Sequence, residues 1–245
     1  MALCVPYQSM ELFQAYGGRV QQEIKDTVLG YFRGSKPGRI LDIPSGSCWL
    51  AEHLSDPGWE YHAADLYADA SDSPCARVDL NEDLPYEDGH FDYVACLEGL
   101  EHLENYHHTL REFHRILKPG GKLVVSTPNP LNVKSRLRYL FWGTFMGFPH
   151  LANMPGEGEH LHMSPMNASF LISFAERYGL RFEALHRVRI KPSSYRYLAH
   201  VAMIQAYVRL RTLFNDTGTK QFMLRLHSLN VLLNDGIVAS FENQP

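Results

Sequence analysis

The chain has 245 residues, 45% of them hydrophobic and 20% charged, with a formal net charge of −4. A chain of this size can bury the core of one α/β domain, and its mildly acidic balance excludes a globally basic nucleic-acid binder while allowing a local basic patch. Cys4, Cys48, Cys75 and Cys96 have neither zinc-ligand spacing nor the density of a disulfide scaffold, so a reducing cytoplasm is the expected location.

The first residues, Met1 to Tyr7, are interrupted too soon to form a secretory apolar region, and a helix is expected from about Met10 to Phe32. Arg39-Ile-Leu-Asp-Ile-Pro-Ser-Gly-Ser-Cys-Trp49 then reads as a strand ending in Asp42, a tight turn through Ser45 and Gly46, and a helix N-terminus. Such a junction offers unpaired N–H groups and close backbone approach, which suits a nucleotide-like ligand. Tyr61 to Leu66 reads as a second strand ending in Asp65, where a carboxylate can accept both ribose hydroxyls. Arg77-Val-Asp79-Leu80-Asn81 gives a third strand end with an acid. Phe91 to Leu97 is a fourth strand and runs directly into Glu98-Gly-Leu-Glu101-His102. A helix follows over Leu110 to Leu117, then the stop signal Lys118-Pro-Gly-Gly121, then a strand from Lys122 to Asn129.

Over Arg39 to Asn129 this series resembles the class I S-adenosylmethionine (SAM)-dependent methyltransferases. The resemblance implies an α/β fold with a Rossmann-like, seven-stranded, mostly parallel sheet and helices on both faces. It also implies an N-terminal helix and a helical insertion before the last, antiparallel strand. One methyltransferase domain is expected over 1–245, with an N-terminal helical segment 1–38, a SAM-binding core 39–129, an acceptor-side cap 130–163 and an insertion 192–234. The turn departs from the family's Asp-x-Gly-x-Gly-x-Gly, since Pro44 and Cys48 replace two glycines and leave Gly46. That departure also argues against a dinucleotide dehydrogenase, whose pyrophosphate needs several glycines.

The resemblance places the cofactor against Asp42, Ile43, Pro44, Ser45 and Gly46, against Asp65 and Leu66, Asp79 and Leu80, and Leu97 and Glu98. Asp65 would take the ribose and Asp79 the adenine amino group. If a helix starts near Glu98, then Glu98, Glu101 and His102 share one face at the mouth of strand four, beside the sulfonium. The pattern Glu-x-x-Glu-His resembles that of ubiquinone-pathway O-methyltransferases and of small-RNA 3′-terminal ribose 2′-O-methyltransferases, both of which bind a divalent metal there. The implied metal set is Glu98, Glu101, His102 and His160, for Mg²⁺, Mn²⁺ or Zn²⁺. In the metal-free alternative His102 packs against the cofactor or acts as a general base near neutral pH; His102 and His160 are the candidate catalytic residues. His162, His107, His108 and His114 are expected on the surface or on helix faces.

Beyond strand five, Leu131 to Phe148 reads as one or two helices with Lys134, Arg136 and Arg138 on a polar side, and Pro149 to His160 as a loop. A helix is expected with Ser164 as N-cap, Pro165 at its first position and Gly179 as its stop, followed by a strand over Arg181 to Ile190. Tyr195 to Leu233 is mostly helical with a break near Asn215 to Gly218, and Gly236 to Phe241 is the last strand. Tyr197 to Phe214 contains His200, Gln205, Arg209 and Arg211 and reads as an amphipathic helix, not a membrane span. Arg181, Arg187, Arg189, Lys191, Arg196, Arg209 and Arg211 would suit an anionic acceptor. The expected activity is O-methylation of a small molecule. The alternatives are a metal-assisted RNA ribose 2′-O-methyltransferase and, from another class, a SAM-binding scaffold subunit of weak catalysis.

Overall fold

Apolar residues alternate along the central strands, and each parity faces a different layer of helices. The computed structural model describes residues 20–54, 56–68, 75–148 and 162–245. Its strands are β1 (Arg39–Asp42), β2 (Glu60–Asp65), β3 (Cys75–Arg77), β4 (Phe91–Leu97), β5 (Leu117–Pro128), β6 (Leu180–Leu185) and β7 (Gly236–Asn243). They form one sheet in the order β3-β2-β1-β4-β5-β7-β6, parallel except that β7 runs antiparallel to both β5 and β6. This is the sheet expected from the sequence, and the order reverses between β1 and β4, where ligands of open α/β sheets bind.

On one face, Leu41, Val94, Cys96, Leu123 and Val125 pack against Leu110, Phe113 and Ile116 of the second described helix, α2 (Tyr106–Ile116). On the other, Ile40, Ala95, Leu97, Val124 and Val238 meet Ile24, Val28 and Phe32 of α1 (Gln22–Arg33). The period of two along a strand produces this division directly. Helix α3 (Val133–Trp142) follows β5, and α4 (Ala168–Arg177) precedes β6. Between β6 and β7 come a 3₁₀ turn, Pro192–Tyr197, and helices α5 (Leu198–Arg211), α6 (Thr217–Leu226) and α7 (Leu229–Leu233). The buried Val133, Val201, Leu232 and Leu233 join α3, α5 and α7 in a satellite core.

Several local expectations are corrected. Between β1 and β2 the described residues form no α-helix; the chain makes turns and a three-residue 3₁₀ helix, Ala51–His53, with Cys48 at φ 54° before it and Asp56-Pro-Gly58 soon after. The helix-dipole argument for the first turn therefore does not apply. Helix α4 starts after Asn167, whose side chain accepts the N–H of Phe170, so Ser164 is not its cap. Instead Ser164 Oγ donates to the Leu103 carbonyl and its N–H to that of Glu101. Strand β6 stops at Leu185, short of Ile190. Helix α5 is not amphipathic: Met203, Tyr207 and Leu210 are exposed while Val201 and Val208 are buried. On α3 the expected polarity is inverted, since Lys134, Arg136 and Arg138 are half-buried and Tyr139, Leu140, Phe141 and Trp142 are exposed. No described helix is long and apolar enough to cross a membrane.

Candidate active site

Beyond β1 the chain continues between its neighbours, with the Ile43 N–H donating to the Ala95 carbonyl and the Ser45 N–H to that of Ala64, both at 2.9 Å. Gly46 then takes φ 50° and turns its N–H onto Asp65 Oδ2 at 3.0 Å. The other oxygen, Oδ1, accepts the Tyr67 N–H at 3.0 Å. Asp65 thus ties the first turn to the end of β2, and a carboxylate so engaged still has lone pairs for incoming hydroxyls. Asp42 lies beneath this turn, buried and accepting the Tyr61 hydroxyl at 2.6 Å. Burial pushes its carboxyl up to about 7 against the pull of that hydrogen bond, with Asp65 and Cys75 adding to the rise.

The other expected cofactor residues divide by exposure. Ile43, Ser45, Leu80 and Leu97 are buried, Pro44 and Asp79 half-buried, and Gly46 and Leu66 exposed. Asp79 Oδ1 accepts the N–H of Asn81 at 2.8 Å, and Asn81 in turn accepts the N–H groups of Glu104 and Asn105. Sequence reading missed Asn81 and also Gly99. A Cβ on Gly99 would lie 2.5 Å from Pro44 Cδ, so this glycine is needed for the two loops to pass. An unassigned glycine directly after a strand end was the available signal.

After β4, Glu98 takes φ 53° and Leu100–His102 form a single 3₁₀ turn, so the helical face expected from Glu98 onward does not exist. Glu98 Oε1 accepts the Ser126 hydroxyl at 2.9 Å, and burial raises its carboxyl to about 7. Glu101 is fully buried. Its Oε2 accepts from Thr127 Oγ1 at 3.2 Å, while Oε1 has no hydrogen-bond partner among the described residues. Burial, reinforced by the neighbouring charge of Glu98, holds Glu101 well above the usual carboxylate range.

One ligand atom from each of Glu101, His102 and His162 lies within 4.8 Å of the others, and the two imidazole centroids are 4.6 Å apart. Glu98 is outside that group, and His160 lies outside the described residues. The expectation of His162 as a surface histidine is corrected. The Met163 and Ser164 N–H groups both donate to the Glu101 carbonyl, at 2.8 and 3.0 Å, which docks this segment on the 3₁₀ turn. A carboxylate and two imidazoles suit Zn²⁺ or Mn²⁺, and the orphaned Oε1 is the kind of buried acceptor that a cation satisfies. The other three histidines expected on the surface or on helix faces have structural partners: His107 meets the Tyr178 hydroxyl, His108 lies by Asp83, and His114 pairs with Asn243. Of the basic residues, Arg181 pairs with Glu242, Arg189 with Glu23 and Lys191 with Asp235. Arg196, Arg209 and Arg211 make no ion pair with the described residues.

Comparison with known proteins identifies the family. The family model "Methyltransferase domain" matches residues 16–185. A ubiquinone biosynthesis O-methyltransferase of Xanthomonas oryzae is 29% identical over 166 residues, 63% of this chain and 67% of the relative. A demethylmenaquinone methyltransferase of Bacillus cereus is 32% identical over 122 residues, 46% of this chain and 48% of the relative. Among solved structures, the 1,6-didemethyltoxoflavin-N1-methyltransferase of Burkholderia thailandensis, determined with S-adenosylhomocysteine, superimposes with a TM-score of 0.54 at 12% identity, covering 100% of this chain and 93% of that one. The match over more than half the chain, on this sheet, shows that the protein belongs to the methyltransferase domain family and is a SAM-dependent methyltransferase.

Proposed function

We propose that this methyltransferase acts on a hydroxyl group of a small, aromatic acceptor, at a site where Glu101, His102 and His162 hold a divalent cation and Glu98 stands beside them. The carrying observation is the buried Glu101 carboxylate at the end of β4, with one oxygen lacking a hydrogen-bond partner among the described residues and a ligand atom within 4.8 Å of those of two imidazoles. The name of the ubiquinone-pathway relative, an O-methyltransferase, agrees with transfer to oxygen, and the name of the demethylmenaquinone relative agrees with a small aromatic acceptor.

When bound, SAM supplies an electrophilic methyl group, and a divalent cation lowers the pKa of a hydroxyl placed next to it. The chain's own residues supply position and proton traffic. Asp65 accepts the ribose hydroxyls while keeping the Gly46 turn closed, and Asp79 receives the adenine side. Gly46, with no Cβ, lets the cofactor approach the main chain. Glu98, its carboxyl near neutrality, accepts the proton that leaves the acceptor hydroxyl, and Ser126 fixes its orientation. These residues would hold the donor and the acceptor hydroxyl close to each other, and positioning of this kind supplies much of the acceleration of such a displacement.

An assay of S-adenosylhomocysteine release with catechol-type acceptors tests the reading. Turnover is expected to need a divalent ion and to stop with EDTA. Turnover untouched by EDTA, with no Mn²⁺ binding by calorimetry, would discard the metal. Transfer to RNA in place of phenols would discard the acceptor class.

A further inference from the structure

Helix α5 carries large apolar residues on its solvent side as well as on its inner side, in addition to His200, Gln205, Arg209 and Arg211. Its inner residues Val201 and Val208 are buried, whereas Met203, Tyr207 and Leu210 recur outward at helical spacing and Phe214, just past its end, is 98% exposed. Helix α3, joined to α5 through the Val133–Val201 cluster, does the same with Leu140, Phe141 and Trp142, which are 72%, 76% and 70% exposed. Exposed faces of this extent mark a contact surface, since scattered apolar residues would not accumulate on two helices of one satellite core.

Charge selects the occupant. Segments 130–148 and 184–215 contain no Asp or Glu, although the whole chain carries −4. Arg209 and Arg211 project beside Leu210 and carry the charge of this face, while Lys134, paired with Asp235 at 3.5 Å, and Arg138 flank Phe141 and Trp142 around a groove of about 430 Å³. Asp216, the acid that follows Phe214 most closely, is used to cap α6 through the Thr219 N–H. Two copies of a cationic face repel each other, whereas an anionic lipid surface offers both the apolar and the negative component. Trp and Tyr among the outward residues are the side chains that prefer the headgroup level of a bilayer.

We infer that the outer faces of α3 and α5 dock on an anionic lipid surface, with Phe141, Trp142, Leu210 and Phe214 entering the headgroup boundary. A chain of ring contacts leads inward from this face. Tyr139 stacks on Phe145 at 4.5 Å, Phe145 meets Phe148 at 6.4 Å, and Phe148 meets His162 at 5.6 Å. On the acceptor reading above, this run connects the lipid-facing helix with the methyl-transfer site, so that a lipophilic phenol can be taken from the bilayer.

Sedimentation with vesicles tests the docking without any turnover, so its outcome is independent of the acceptor and metal assignments. The full chain is expected to sediment with phosphatidylcholine vesicles containing one part in about three of phosphatidylglycerol and to remain in solution with phosphatidylcholine alone. A blue shift of fluorescence that disappears in Trp142→Phe would accompany binding. The double variant Leu210→Ser/Phe214→Ser should lose about tenfold or more in partitioning, and Arg209→Gln/Arg211→Gln about fivefold for each arginine, with unchanged circular dichroism. Absence of sedimentation with anionic vesicles overturns the inference, as does binding that both double variants retain. A particle mass of two chains that becomes one in Leu210→Ser/Phe214→Ser assigns the face to a second copy. Protection of Trp142 from quenching in vesicle-free protein assigns it to the chain's own remaining residues, and either result also overturns the inference.

Discussion

His162 stands against His102 with imidazole centroids 4.6 Å apart, although a helix, a strand and a second helix separate the two in the chain. The docking of Met163 and Ser164 on the Glu101 carbonyl makes this proximity a property of the backbone. His162→Ala should therefore weaken Mn²⁺ binding by about tenfold to a hundredfold. His160→Ala is the matched control, and calorimetry of both variants decides which histidine completes the set. A loss confined to His160→Ala would restore the assignment made from sequence.

Asp65 accepts two backbone N–H groups before any ligand arrives. In Asp65→Ala those donors lose their partner and ribose hydroxyls lose theirs, so SAM affinity should fall by about 1.5–3 kcal/mol, roughly tenfold to a hundredfold. Titration calorimetry reads this directly. A folded variant that binds SAM as the wild type does would remove Asp65 from the cofactor site.

Gly99→Ala is expected to destabilise the protein, because the new Cβ would lie 2.5 Å from Pro44 Cδ and 3.1 Å from Cys96 Sγ. Overpacking of this kind costs about 1–3 kcal/mol. Since Pro44 belongs to the cofactor turn, SAM affinity should fall along with the denaturation midpoint. A wild-type midpoint would mean that the loops part freely.

Asp42 predicts a pH dependence of stability. Its carboxyl is raised from 3.8 to about 7 by burial, so the folded state keeps a proton that the unfolded state releases. Below about pH 4 the group contributes nothing either way. As pH rises from there to about 7 it progressively disfavours folding, and above 7 the penalty is constant. Asp42→Asn keeps an acceptor for the Tyr61 hydroxyl and should be more stable than wild type at pH 8 by more than at pH 5. Urea midpoints at the two values measure the difference, and equal differences would show that Asp42 is not the group responsible.

The sequence by itself determined the strands, their acids and the family. Period-two apolar runs and the acids Asp42, Asp65 and Asp79 at or just past strand ends are local features, and the seven-stranded sheet follows them closely, although Lys118-Pro-Gly-Gly121 lies inside β5 as a shift of register and does not precede the strand. What followed β1 was not legible: turns and a three-residue 3₁₀ helix, with Cys48 at φ 54° before it, stand where a helix was expected. Helical spacing brought Glu98 into the metal set, whereas the positive φ at that residue directs its carboxylate to Ser126. His162 and Gly99 act through contacts with residues remote in the chain, His102 and Pro44, and only the packing of separate loops creates those contacts. The apolar outer faces of α3 and α5 were also decided by tertiary structure. Composition announces an apolar helix, but which of its sides meets the core depends on where Val133, Val201 and Leu232 find one another.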